Sequence, residues 1–399
     1  MERRTFVKNS ALLTGAFLIP ENSIFGSDSQ QIINVGIIGC GNRGRGIIHL
    51  LNQLPDKFKV TAVCDNLDFR LGQAKKISEP KTRTYTDYQK LLNDKSVDAV
   101  VVALPLNLHY PVAVDVLNSG RHLYLEKTMT YNIEEALALV KLAKQKVNQV
   151  LQVGHQYRYS PLYYRVKDMI AKNQLGTISQ IECRWDRNHD WRQPVPKASL
   201  ERQINWRMYK AYSGGLVAEL LSHQIDFINW AFDTHPQEIF ATGGVDIFKD
   251  GRETFDNVQV TARYEGKHSM IGNFGATCGN SKDGFLFKIK GTLGTISLLT
   301  NDGVFYPEKK AIIKNEIVDG VTGASKIGWT KDGGIPILAS PTEDGTLYAF
   351  NEFYTCIQTK KIPDSNVITG ARTAISVHLA NNALYDKKPM YWCDSYNLS

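Results

Sequence analysis

The chain has 399 residues, of which 43% are hydrophobic and 22% charged, with a formal net charge of +7. That length is enough for two domains with their own cores. The mild positive excess, without a long basic run or an arginine-rich helix, excludes a nucleic-acid footprint and suits anionic cofactors or substrates, or nothing in particular.

In chain order, the opening stretch MERRTFVKNSALLTGAFLIP places Arg3 and Arg4 ahead of Phe6 and Lys8, then an apolar region, 11–19, that gives way to polar sequence. This predicts a twin-arginine-type export signal over residues 1–30 and a periplasmic or otherwise exported bacterial protein. A disordered basic-hydrophobic tail is the competing reading. The apolar region is too short to span a membrane, and no later stretch is long and apolar enough for an integral membrane helix. The six cysteines (Cys40, Cys64, Cys183, Cys278, Cys356 and Cys393) lie far apart with no CxxC pair, which argues against a zinc cluster or a disulfide framework.

Residues 31–39, QIINVGIIG, read as a buried strand that turns through Gly39, Gly41 and Gly44 into a helix over 47–54. The spacing Gly39-x-Gly41-x-x-Gly44 is what a dinucleotide pyrophosphate needs, although any glycine-rich strand-to-helix turn matches it. The helix start, with Asn42 and Arg43, offers N–H groups and a favourable dipole to an anion. Residues 58–64 are the next strand and end at Asp65, whose carboxylate can accept hydrogen bonds from ribose hydroxyls. That favours NAD over NADP, a preference tempered by Arg70. Strand-like runs at 99–103, 122–125 and 150–153 alternate with helical patterns at 111–118 and 134–145. The βαβ alternation predicts a mostly parallel Rossmann-type sheet, covered on both faces, with the site along its C-terminal edge.

Three strand ends carry candidate residues. LPLNLHY, with Leu104, Asn107 and His109, looks like a loop crossing the nicotinamide edge, while a helix-start histidine is the alternative for His109. Glu126-Lys127 closes the 122–125 strand. A lysine there can hydrogen-bond a substrate hydroxyl and the nicotinamide ribose, or be merely solvated. His155, Tyr157 and Arg158 follow the last strand, within reach of substrate oxygens.

Beyond residue 159 the texture changes. A helix over 161–172 and a strand over 178–184 precede 184–207, which is rich in Trp, Arg, Asn and Pro. Trp191, Trp206, Arg207 and Tyr209 are candidate substrate-binding residues there, because indole faces stack on sugar rings and guanidinium groups bind hydroxyls or carboxylates. Interdomain core is the alternative for each tryptophan. Gly214 and Gly215 introduce a helix over 216–232, where Glu219 and His223, four apart, share a face and can act as an acid/base pair. Such a pair also serves as a surface stabiliser, and no spacing for metal ligands accompanies it. Alternating runs between 237 and 299 predict a largely antiparallel open sheet covered by helices on one face, an α+β domain. Residues 300–341 read as an insertion, and 345–358 and 369–385 as helices. The boundaries are 1–30 signal, 31–155 Rossmann domain, 156–385 substrate and oligomerisation domain, and 386–399 tail.

On Gly39-x-Gly41-x-x-Gly44, the loop with His109, the Glu126-Lys127 pair and the 214–226 helix, the chain resembles the glucose–fructose oxidoreductase / inositol dehydrogenase / rhizopine-catabolism family. The resemblance covers about residues 31–385. It implies an NAD(P)-dependent oxidoreductase acting on a sugar, polyol or sugar derivative, homo-oligomers formed through the C-terminal sheet, and participation of Lys127 and His223 in catalysis. Thr128 stands where the family usually has proline, which leaves the lysine's backbone less fixed. Glu219 stands where it usually has aspartate, and is expected to orient His223. Exported relatives imply an alternative, an NAD-dependent redox-neutral glycosidase with tightly bound cofactor, for which Tyr157, Tyr209 or His155 is the extra base. A non-catalytic sugar-binding protein is the third reading.

Overall fold

The computed structural model describes residues 31–282, 284–308 and 333–398. The expected export signal lies outside these residues, as does 309–332 of the expected insertion. The first half comprises β1 (Ile33–Ile38), α1 (Asn42–Leu51), β2 (Phe58–Cys64), α2 (Asp68–Lys76), β3 (Arg83–Tyr85), α3 (Tyr88–Leu92), β4 (Ala99–Val102), α4 (His109–Asn118), β5 (His122–Leu125), α5 (Ile133–Ala143) and β6 (Leu151–Val153). Its six strands form one parallel sheet, ordered β3-β2-β1-β4-β5-β6. The order reverses between β1 and β4, and at such a switch point the strand ends open a crevice. The period of two sends Val35, Ile37, Val101 and Tyr124 to one buried face, and Ile38, Val100, Val102 and Leu125 to the other. The short β3 was not anticipated, because Arg83-Thr84-Tyr85 carries no apolar run and has two exposed residues.

The second half comprises α6 (Pro161–Ala171), β7 (Ile178–Trp185), α7 (Glu201–Ile204), a π turn (Val217–Leu221) that runs into α8 (Ser222–Ala231), β8 (Pro236–Gly244), β9 (Asn257–Tyr264), β10 (Met270–Thr277), β11 (Phe285–Gly291), β12 (Gly294–Leu298), β13 (Gly303–Pro307), β14 (Ile335–Pro336), α9 (Gly345–Thr359), α10 (Val367–Asp386) and β15 (Met390–Tyr391). Nine strands form the sheet β14-β13-β12-β11-β7-β10-β9-β8-β15, antiparallel except where β7 meets β10. Strict alternation along β9, from buried Val258 and Val260 to exposed Gln259 and Thr261, puts one face on the core and leaves the other open.

Two expected boundaries are corrected. Helix α9 does not belong to the second sheet: it returns to cover the first, with Phe350 stacked on Tyr124 at 4.4 Å and edge-on to Phe58 at 5.8 Å. Gln152 Nε2 donates to Ala349 O at 2.7 Å in the same contact. The large apolar faces of Phe58 and Tyr124 need cover that the first half alone does not supply. Residues 386–399 are not simply a tail, since β15 extends the second sheet by pairing Met390 with Ile239. Among the described residues, no helix is long and apolar enough to cross a membrane.

Candidate active site

The chain leaves β1 through a turn in which two positions admit only glycine. Gly39 has a φ of +96°, and a Cβ there would lie 2.3 Å from Ala103 O. A Cβ at Gly44 would lie 1.9 Å from Gly39 O, so α1 seats directly on the turn. At Gly41 a Cβ would meet nothing within 4 Å. Gly41 also caps α1 with no side-chain bond to its first N–H groups, which leaves them for an anion. Bare backbone facing open space at a helix start fits a dinucleotide pyrophosphate. Gly44→Ala is therefore expected to abolish NADH binding in a fluorescence titration, and wild-type affinity in that variant would contradict the fit.

A cavity of about 1000 Å³ runs from this turn along the strand ends. It is lined by Gly39, Gly41, Asn42 and Arg43, then Asp65 and Arg70, then Leu104, Asn107 and His109, and it reaches Glu126 and Lys127. Asp65 accepts from Cys40 N at 2.8 Å and Leu67 N at 2.9 Å, and its oxygens keep lone pairs for a ribose. Three of the expected cofactor ligands are committed internally. Arg43 Nε donates to Glu126 Oε1 at 2.8 Å, and its remaining nitrogens approach Thr346 Oγ1 at 3.3 Å. Glu126, the acceptor of that pair, is itself buried. His109 opens α4 with its Nδ1 2.8 Å from Thr128 O and its Nε2 3.0 Å from Leu104 O. Both neighbours are carbonyl acceptors, so the neutral ring donates to one of them, and both nitrogens face the chain's own backbone rather than a cofactor, against the expected direct contact.

The inner end of the cavity is organised by the π turn. An extra residue per turn frees carbonyls that an α-helix would pair. Lys127 Nζ donates to Glu219 O at 2.8 Å, and Thr128 Oγ1 donates to Ala218 O at 3.1 Å. The Lys127–Thr128 backbone is thus tied by side chain and carbonyl alike, contrary to the looser attachment expected from the missing proline. Burial pushes the Lys127 ammonium to a lower pKa, against the opposing pull of Glu219 and Glu126.

The expected Glu219–His223 pair does not form. Glu219 Oε2 accepts from Arg207 Nε at 2.7 Å. Arg207, from the segment ahead of the helix, takes the carboxylate that the spacing of four would have offered to His223. Burial raises the Glu219 pKa, but Arg207 and then Lys127 outweigh it and hold the carboxyl below its ordinary value. His223, 6% exposed, sits in an aromatic box, 4.7 Å from the Tyr157 ring and 5.7 Å from the Trp185 ring. Burial holds its pKa well below the ordinary histidine value, and Lys127, His155 and Arg43 act in the same direction. Its Nδ1 is fully buried and unpartnered, and the ring lies outside the set of residues that line the cavity.

The expected substrate-binding residues divide. Trp191, Trp206 and Arg207 line the cavity, and the Arg207 guanidinium lies 4.2 Å from the Trp206 ring centre and 5.7 Å from that of Trp191. Tyr157 packs against His223, and burial raises its phenol to about 12. Arg158 is corrected to a structural role. It is 1% exposed, its Nε and Nη2 grip Asp226 at 3.0 and 2.5 Å, and its Nη1 donates to Asp364 O at 2.9 Å. Tyr209 is likewise turned away, donating to Glu201 Oε1 at 3.1 Å. The far wall of the cavity, Gln193, Ser199, Arg202, Gln203 and Tyr212, was not anticipated. Gln203 Nε2 donates to Asn66 Oδ1 at 2.6 Å and so joins the two halves across the crevice. Only the polar, aperiodic character of 184–207 hinted at such a strap.

Residues 33–155 match the family described as "Oxidoreductase family, NAD-binding Rossmann fold", and residues 163–297 match "GFO/IDH/MocA C-terminal domain". An uncharacterized oxidoreductase of Schizosaccharomyces pombe is 32% identical over 196 residues, 49% of this chain and 50% of that protein. An inositol 2-dehydrogenase/D-chiro-inositol 3-dehydrogenase of Lactiplantibacillus plantarum is 26% identical over 201 residues, 50% of this chain and 52% of that one. The chain thus spans about half the length of these curated relatives. Among solved structures, a levoglucosan dehydrogenase in complex with NADH and levoglucosan shares the fold at a TM-score of 0.73 and 19% identity, covering 90% of this chain and 99% of that one. The WlbA dehydrogenase of Bordetella pertussis, in complex with NADH and UDP-GlcNAcA, does so at 0.71 and 19%, covering 91% and 99%.

Proposed function

This chain belongs to the GFO/IDH/MocA family of NAD(P)-dependent oxidoreductases, and we propose that it oxidises a carbinol carbon of a sugar, polyol or sugar derivative with NAD in preference to NADP. The observation that carries this reading is Lys127, half-buried at the inner end of the cavity and held by carbonyls of the same π turn that leads into His223. A nicotinamide bound there supplies the hydride acceptor. Lys127 binds and polarises the substrate hydroxyl. His223, kept neutral at physiological pH by burial, takes the hydroxyl proton at Nε2. Trp191 and Trp206 offer apolar faces to a sugar ring, and Arg207 keeps Glu219 ionised beside Lys127. The preference for NAD rests on Asp65, whose charge repels a 2′-phosphate.

A second reading, redox-neutral glycoside cleavage, is favoured by the Gln203–Asn66 bridge, which suits a cofactor held tightly through many turnovers. In that cycle Tyr157 is a proton donor rather than the extra base, because burial keeps its phenol protonated. Protein purified with its bound nucleotide, offered sugars and polyols with NAD and then glycosides without added cofactor, separates the readings. NADH formed in proportion to free sugar supports net oxidation. Aglycone released without NADH accumulation supports the cycle. Neither product, with sugar still bound, supports a non-catalytic sugar-binding protein.

The proposal includes export through the twin-arginine route, carried by Arg3 and Arg4; recovery of the protein solely from the cytosol on fractionation would contradict it. It also includes self-association through the open face of the second sheet, where Phe240 and Ile271 are 48% and 37% exposed. A monomer by light scattering would contradict that part.

A further inference from the structure

A histidine that accepts a proton at Nε2 carries its own proton at Nδ1, and a buried N–H left unpaired costs about 1–3 kcal/mol. His223 Nδ1 is such a group, and Glu219, the carboxylate expected to serve it, is held by Arg207. The acceptor that remains nearby is on the segment leaving β6. His155 is 1% exposed, and its ring stands perpendicular to that of His223 with centroids 6.4 Å apart. Its Nδ1 lies 3.3 Å from Asp226 Oδ1. Asp226 is already an acceptor for Arg158 and for Thr373 Oγ1, the latter at 2.9 Å. The proton of a neutral His155 therefore belongs on Nδ1, facing the carboxylate. Both ring nitrogens are buried and neither makes a hydrogen bond of good geometry, the Nδ1 approach to Asp226 being a charge contact, and Nε2 is then a bare lone pair.

We propose that Asp226 and His155 form the pair that sets the tautomer of His223, with His155 Nε2 accepting from His223 Nδ1–H through one bridging water. Taking one ring radius from each end of the 6.4 Å centroid separation leaves no less than about 4 Å between any two ring nitrogens, beyond a direct hydrogen bond, so a contact between them needs a bridging water. When His223 takes the substrate proton at Nε2, the Nδ1 proton stays where it is. The only bond to a proton that breaks is the substrate O–H, and the imidazolium charge faces a dipole chain ending in a carboxylate. His155 is thus a positioning residue. The other charged groups about the two rings are Lys127 and Arg43 beside His223, and Arg158 and Lys127 beside His155. All are cations, so among these neighbours Asp226 alone favours a protonated ring, while the uncharged Tyr157 ring packs against His223.

This assignment rests on the reading of His223 as the base, and the experiment keeps the two apart. Histidine-labelled full-length protein is compared by nitrogen-15 NMR as wild type, His155→Phe and His155→Gln. The wild type is expected to hold His223 as the Nδ1–H tautomer. His155→Phe, which keeps a ring but removes the acceptor, is expected to shift the population toward Nε2–H. It is also expected to lower kcat about 5–100-fold with little change in KM, the rate equivalent of leaving that N–H unpaired. The acid limb of the kcat profile then moves to lower pH, because the imidazolium has lost its stabilising partner. His155→Gln, with an amide oxygen in reach, is expected to restore the tautomer and most of the rate. An unchanged His223 tautomer and pH limb in His155→Phe would overturn the proposal. Full activity in His223→Ala would instead overturn the role of His223 as base, while the tautomer shift in His155→Phe would stand.

Discussion

Lys127→Met is expected to lower kcat about 10²–10⁴-fold, the range contributed by a positioned proton-handling group, while leaving NADH affinity within a few-fold of wild type. Methionine keeps most of the unbranched stem of this half-buried side chain, so the loss isolates the ammonium. The segment stays in place without it, because Thr128 Oγ1 still donates to Ala218 O and His109 still meets Thr128 O. What disappears is the charge at the inner end of the cavity and the bond from Nζ to Glu219 O. Steady-state kinetics paired with an NADH titration reads both quantities. A kcat within tenfold of wild type, at unchanged cofactor affinity, would remove Lys127 from the reaction.

The second large effect concerns stability. Arg158→Met is expected to destabilise the fold by about 3–5 kcal/mol, because it strands a buried Asp226 carboxylate without its counter-ion. The pair ties the segment after β6 to α8, Thr373 extends it to α10, and Asp364 O receives the remaining nitrogen. The double variant Arg158→Met/Asp226→Leu is expected to lose much less than the sum of the single losses, since an apolar pair of similar volume replaces a buried ion pair at little cost. Urea denaturation of the four proteins measures this coupling. Additive losses would mean that each side chain is held by something other than its partner.

Much of the first half was legible in the sequence because a parallel sheet buried on both faces writes itself as short apolar runs separated by amphipathic helices. The glycine turn was legible for a stricter reason: at Gly39 and Gly44 the backbone of a neighbouring segment occupies the space of a side chain. Helix α9 was readable as a helix but not as part of the first core, since its partner faces, Phe58 and Tyr124, lie more than two hundred residues earlier. Glu219 was misassigned because a shared helix face says nothing of competing partners, and Arg207, which takes its carboxylate, comes from the segment ahead of the helix. Arg158 and Tyr209 looked like ligands for a related reason. Their residue types suit substrate oxygens, but Asp226 and Glu201, which take their donors, come into contact only through the fold. The aperiodic 184–207 stretch gave its wall-forming residues no pattern to be found by.

The central claim, that Lys127 and His223 serve hydride transfer from a carbinol carbon, is tested most directly with a substrate deuterated at that carbon. After turnover, the nicotinamide recovered from the protein is analysed by mass spectrometry and proton NMR. Deuterium at C4 of the recovered cofactor is the predicted result, abolished in His223→Ala and Lys127→Met. Substrate consumed with no deuterium ever reaching the cofactor would contradict the account.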